Sequence, residues 1–104
     1  MIRWEAHTCL PLHPDASFAP LEHYRALGVH CVCINVGMDM NPIEQVLKTI
    51  AWFRHWLGQH GDEFVLVESF ADVVAAKAAG KLGVAFDLEG SKMLLEDVAM
   101  VEFY

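Results

Sequence analysis

The sequence predicts an α/β fold assembled from parallel βα units, and three observations lead there. Short apolar runs that read as strands alternate with stretches at helical spacing, the pattern that feeds a parallel sheet. The run 29–36 is apolar on both faces, as a strand covered by helices on two sides must be. Gly28 and Gly80 stand where helices should end, since glycine takes the left-handed conformation without a Cβ penalty.

The first strand is expected at about 2–10, followed by a proline-containing loop and a short helix at 20–27 that Gly28 stops. After the strand at 29–36, Asn41 is expected to cap the second helix, with Pro42 in the first helical position and Glu44 completing a capping box. Ile43, Val46, Leu47, Ile50 and Leu57 form one stripe at helical spacing, which Trp52, Phe53 and Trp56 widen. These aromatics read as ordinary core; the alternative is that Trp52 and Trp56, one turn apart, face a partner subunit or a further part of the domain. A third strand at 64–68 leads to a helix capped by Ser69 and Asp72, and Gly80 ends that helix before a fourth strand at 82–88. A fourth helix is expected from near Leu95, with Val98 and Val101 on one stripe, still running at Tyr104. No linker or low-complexity run interrupts residues 1–104, so they read as a single domain, and the unfinished last helix makes that domain a partial one.

Charge narrows the partners. The chain has 7 Lys and Arg against 14 Asp and Glu, a net −7. Nucleic acid and anionic membranes need clustered basic groups, so both are excluded as expected partners and a small or neutral molecule is favoured. At 55% apolar and 20% charged residues, the chain is composed to pack rather than to stay disordered. Its cysteines, Cys9, Cys31 and Cys33, are odd in number, and the last two share one face of a strand where they cannot bridge comfortably. That usage suits a reducing compartment, and residues 1–12 lack a signal-peptide core, so a cytoplasmic location is expected. No run reaches the roughly 18 apolar residues of a membrane span.

Parallel sheets carry their ligand sites at the carboxyl ends of the strands, and the polar residues of this chain gather there. His7 and Cys9, at i and i+2 of the first strand, should share a face. Asn35 and Asp39 close the second strand, Glu68 the third, and Asp87 and Glu89 the fourth. Carboxylates on an apolar strand need a partner, and a cation would serve. Zinc accepts imidazole, thiolate and carboxylate, so His7, Cys9 and Glu89 formally supply three ligands. Alternatively, Glu89 pairs with Lys92 or caps the following helix, and the His7 and Cys9 pair is half-buried filling. His13, His23, His30, His55 and His60 read as solvated or satisfied side chains, and Cys31 and Cys33 as core fillers. No H-E-x-x-H, G-x-G-x-x-G, phosphate loop or G-x-S-x-G is present.

These residues resemble the renal (membrane) dipeptidase family of zinc dipeptidases. The family's first strand carries a motif like D-G-H-x-D-x-P, matched here by Glu5-Ala6-His7-Thr8-Cys9-Leu10-Pro11. A later strand ends in V-E-G, matched by Leu88-Glu89-Gly90, and Ala71-Asp72-Val73 with Gly80-Lys81-Leu82 look like the family's A-D-I and G-K-I-A segments. The resemblance implies the amino-terminal half of a (β/α)8 TIM-like barrel, its first four βα units. It also implies a hydrolase, a metallopeptidase acting on small peptide substrates, with zinc as cofactor and two ions in the complete site. Carried over, His7 and Glu89 are the expected metal ligands, and Cys9 stands where the family has Asp. A thiolate is softer than a carboxylate, so the substitution shifts metal preference. Two further His ligands from later strands have no counterpart in 104 residues, which makes this chain a fragment expected to be inactive alone. Open strand edges add the expectation of a homodimer. The alternative reading is a non-catalytic α/β binding or assembly module that kept the fold and lost the metal site.

Overall fold

A computed structural model describes all of residues 1–104. The chain forms β1 (Trp4–Cys9), α1 (Ala19–Ala26), β2 (Cys31–Met38), α2 (Ile43–Gln59), β3 (Phe64–Leu66), α3 (Phe70–Ala78), β4 (Leu82–Glu89) and α4 (Met100–Phe103), with a short 3-10 turn at Lys92–Leu94. All four strands are parallel, in the order β1-β2-β4-β3. The α/β class with parallel βα units is therefore observed. Consecutive winding would put β3 beside β2, yet β4 takes that place. β2 and β4, eight residues each, pair along their length, whereas three-residue β3 pairs only with the start of β4 and lies at the edge.

The main core lies between the sheet and α1 and α2. Val32, Ile34 and Val36 of β2 and Leu82 and Val84 of β4 meet Leu21, Phe53 and Leu57 there, all almost wholly buried. The stripe on α2 is Val46, Thr49, Phe53 and Leu57; Leu47, expected inward, is exposed, because at about 3.6 residues per turn it lies about 100° round the helix from Val46 and off the face that these four define. Trp56 stacks on Phe18 with ring centroids 4.1 Å apart, and Trp52 packs on the same cluster, so both belong to the core rather than to a partner surface. The opposite face of the sheet carries a smaller cluster in which Cys31, Val67 and Val73 pack beneath α3. Cys31 is fully buried and its thiol is pushed up to about 11, first by burial and then by nearby Cys33.

Helix starts divide. Ser69 and Asp72 form the expected capping box, with Ser69 Oγ accepting from the Asp72 amide and Asp72 Oδ2 accepting from the Ser69 amide. The box expected at α2 does not form: Asn41 Oδ1 accepts from the Met38 amide in the preceding turn, and Glu44 pairs with Lys48. The last helix also differs from expectation. Leu95 and Glu96 have left-handed backbones (φ 52° and 60°), which no helix can pass through, so α4 starts at Met100 and Val98 and Val101 remain exposed.

Two register shifts lie near the carboxyl end of the sheet. Between Glu5 and Thr8, β1 carries one residue more than β2, and between Asn35 and Gly37, β2 carries one more than β4. Such bulges switch which face a side chain occupies. Trp4 accordingly reaches Cys33 Sγ on the α3 side, while Thr8, an even number of residues on, meets Tyr24 Oη of α1.

Candidate functional site

The β1 bulge turns His7 across β2 toward β4. Its Nδ1 lies 3.2 and 3.3 Å from the two carboxylate oxygens of Asp87. Its Nε2 lies 3.8 Å from Cys9 Sγ and 3.9 Å from Glu89 Oε2. The residues singled out at the ends of β1 and β4 thus meet at one place, and Glu89 neither pairs with Lys92 nor caps a helix. Cys9, Asn35 and Asp87 are register partners, which sets one row of the site across three strands.

Asn35 lies beneath the cluster, fully buried. The β2 bulge brings the Gly37 amide onto Asn35 Oδ1 at 2.8 Å, which fixes the side-chain amide so that Nδ2 faces Glu89 Oε2 at 3.4 Å. Asp39 does not join: its Oδ1 accepts from the Lys92 amide at 2.8 Å. Gly90 follows Glu89 with φ 108°, and an added Cβ would run into the Asp39 carboxylate, so the turn that ends β4 requires glycine. Glu68 also stands apart, lining a cavity of about 530 Å³ with Arg54, Phe86, Phe103 and Tyr104 that none of the cluster residues touches.

Electrostatically the cluster favours a cation. Asp87 and Glu89 have no lysine or arginine partner; His7 is the only basic group paired with either. His7, Cys9 and Glu89 are all exposed, so the donors open to solvent at the strand ends. As arranged, no group of three His, Cys, Asp or Glu side chains converges to hold a metal ion. The donor chemistry nevertheless fits one. An imidazole held by a carboxylate through one nitrogen, with the other nitrogen beside a thiol and a carboxylate, is the composition of a zinc site with its outer support. Zinc bonds of about 2.0 Å to nitrogen and about 2.3 Å to sulfur imply donor separations of roughly 3.3–3.6 Å, and both separations at Nε2 are longer than that, so these side chains would have to draw together to hold the ion.

Of the other candidates, Cys31 and Cys33 fill the sheet. His30 Nδ1 accepts from the Arg3 amide, and His13 and His60 bond to local carbonyls. The sequence reading left two residues outside its ligand set that the structure puts at the centre, Asp87 and Asn35. Asp87 carried a signal, a charge on an apolar strand; for Asn35 the only signal was an amide at a strand end.

A parallel α/β sheet with a His, Cys and carboxylate cluster at its carboxyl ends defines the class of fold and site. No protein-family model matches the chain, and no curated protein matches it in sequence. Among solved structures, an amidohydrolase from Pseudomonas aeruginosa superposes with a TM-score of 0.81 at 17% sequence identity, covering 98% of this chain and 30% of that one. The two share a fold, and this chain spans less than a third of that protein's length. No helix is long and apolar enough to cross a membrane.

Proposed function

We propose that this chain carries part of the site of a metal-dependent dipeptidase, with His7, Cys9 and Glu89 as zinc ligands. The observation that carries this reading is the His7 imidazole, held at Nδ1 by Asp87 and presenting Nε2 between Cys9 and Glu89. The fold shared with an amidohydrolase and the renal dipeptidase motifs around His7 and Glu89 support it. A bound zinc supplies Lewis acidity to a scissile carbonyl and makes water a nucleophile near neutral pH. The chain's own residues do the positioning: Asp87 orients His7, Asn35 orients Glu89, and the solvent-open strand ends admit a small peptide. Two further ligands that the dipeptidase resemblance implies have no counterpart among these residues, so residues 1–104 by themselves are expected to be inactive. Three free thiols suit a cytoplasmic setting.

Equilibrium dialysis with metal analysis tests the assignment. The wild-type chain should retain zinc, and His7→Ala and Glu89→Gln should each lose it while keeping the wild-type circular dichroism. A chain that retains no zinc, or variants that retain as much as wild type, would remove this reading.

A second reading, a non-catalytic α/β assembly module, is favoured by the open sides of β1 and β3 and by exposed Val98, Val101 and Phe103. It expects a tight homodimer in size-exclusion chromatography with light scattering, together with no zinc.

A further inference from the structure

We propose that Asp87 is a positioning residue that locks His7 as its Nδ1–H tautomer, leaving the Nε2 lone pair to face Cys9 and Glu89. A neutral imidazole free in water favours the opposite tautomer, and which nitrogen keeps the proton is set by the partner of the other. A carboxylate can only accept, so the paired contacts of Asp87 at 3.2 and 3.3 Å put the hydrogen on Nδ1. Nothing reclaims it for Nε2: Glu89 at 3.9 Å is too far for a hydrogen bond, and Cys9 Sγ at 3.8 Å is at the limit for sulfur.

The contact is built into the sheet. β1 and β4 flank β2, so His7 and Asp87 must span two strand spacings, roughly 9–10 Å between their backbones. The β1 bulge turns the imidazole into that span, and the pairing of Asp87 with Asn35, itself paired with Cys9, brings the carboxylate to the same row. Asp87 is only about a quarter exposed, against about half for His7, so the carboxylate is the more fixed partner. Its purpose rests on the proposed metal site, since a lone pair on Nε2 is what a metal ligand requires; the tautomer itself does not.

The test is nitrogen NMR of the metal-free, ¹⁵N-labelled chain at pH about 8, where an ordinary imidazole is neutral. Wild-type His7 should be Nδ1–H. Asp87→Ala should switch it to mainly Nε2–H, and Asp87→Glu, which keeps an acceptor-only carboxylate, should restore the wild-type form. In parallel, zinc affinity should fall about 10- to 100-fold in Asp87→Ala and recover in Asp87→Glu. A wild-type ring that is Nε2–H, or doubly protonated at that pH, overturns the proposal even if Asp87→Ala does not fold. So does an unchanged tautomer in a folded Asp87→Ala. A chain that shows the switch but binds no zinc upholds the tautomer lock and removes the metal reading alone.

Discussion

The two faces of the sheet are built to different standards. On the α1 and α2 face, Val32, Ile34, Val36, Leu82 and Val84 are closed over by Phe53, Leu57 and Leu21, and the aromatic stack of Phe18 on Trp56 seals one end. On the other face, α3 covers only Cys31, Val67 and Val73, and the carboxyl ends of the strands are left to His7, Cys9, Asp87 and Glu89. The difference teaches a division of labour: the closed face holds the packed core, and the open face, with both bulges beside it, gathers the titratable side chains. Under the proposed metal site, stability and metal binding should respond to different residues.

The largest effect should come from the closed face. Phe53 is fully buried and meets Phe18 edge-on at 4.9 Å, so Phe53→Ala should cost about 3–5 kcal/mol in denaturant unfolding. Folded domains have only about 5–15 kcal/mol in hand, so much of the chain's stability should go and zinc binding with it. His7→Ala, on the open face, should by contrast shift unfolding by no more than about 0.5 kcal/mol while abolishing zinc retention. A loss from His7→Ala comparable to that from Phe53→Ala would break the comparison.

Asn35 is fully buried beneath the open cluster, and its replacement sharpens the division. Asn35→Ala leaves the buried Gly37 amide without its acceptor and Glu89 without its donor, which should destabilise the chain by about 1–3 kcal/mol. It should also weaken zinc binding. A variant that loses stability but keeps full zinc affinity would detach Asn35 from the site.

The helices and strands themselves were legible in the sequence because periodicity and capping are local signals. The apolar run of β2, the Ser69 and Asp72 cap and the stop at Gly80 all follow from neighbours a few residues apart. At α2 the same local logic failed, since Asn41 had two backbone amides in reach and took the one at Met38. Strand order and bulges are not local. Nothing near His7 announces the extra residue in β1, and the contact between His7 and Asp87 joins positions 80 residues apart. The sequence therefore indicated which side chains gather at the strand ends, while the roles of Asp87 and Asn35 needed the register.

The thiols give a smaller but cleaner separation. Cys9 is exposed on the open face, whereas Cys31 is fully buried with its thiol raised to about 11, chiefly by burial. Iodoacetamide at pH about 8 should alkylate Cys9 in the native chain and reach Cys31 only after unfolding, as read by peptide mass analysis. Native labelling of Cys31 at the rate of Cys9 would mean that α3 does not close its part of the sheet.

The smallest effect tests how firmly α3 is held. Ser69→Ala removes one half of the capping box and should cost about 1 kcal/mol. Its partner carries a pH signature. Hydrogen bonds from the Ser69 hydroxyl, then from the Glu68 amide, hold the Asp72 carboxyl below its ordinary value of 3.8. A folded value lower than the unfolded one means that the contribution is complete above the unfolded value and is lost as pH falls through the folded one. Stability measured from pH 5 downward should therefore decline more steeply below about 3.8 in wild type than in Asp72→Asn, whose side chain does not titrate. Parallel declines would leave the α3 cap intact as geometry but strip it of any electrostatic share in covering the second face.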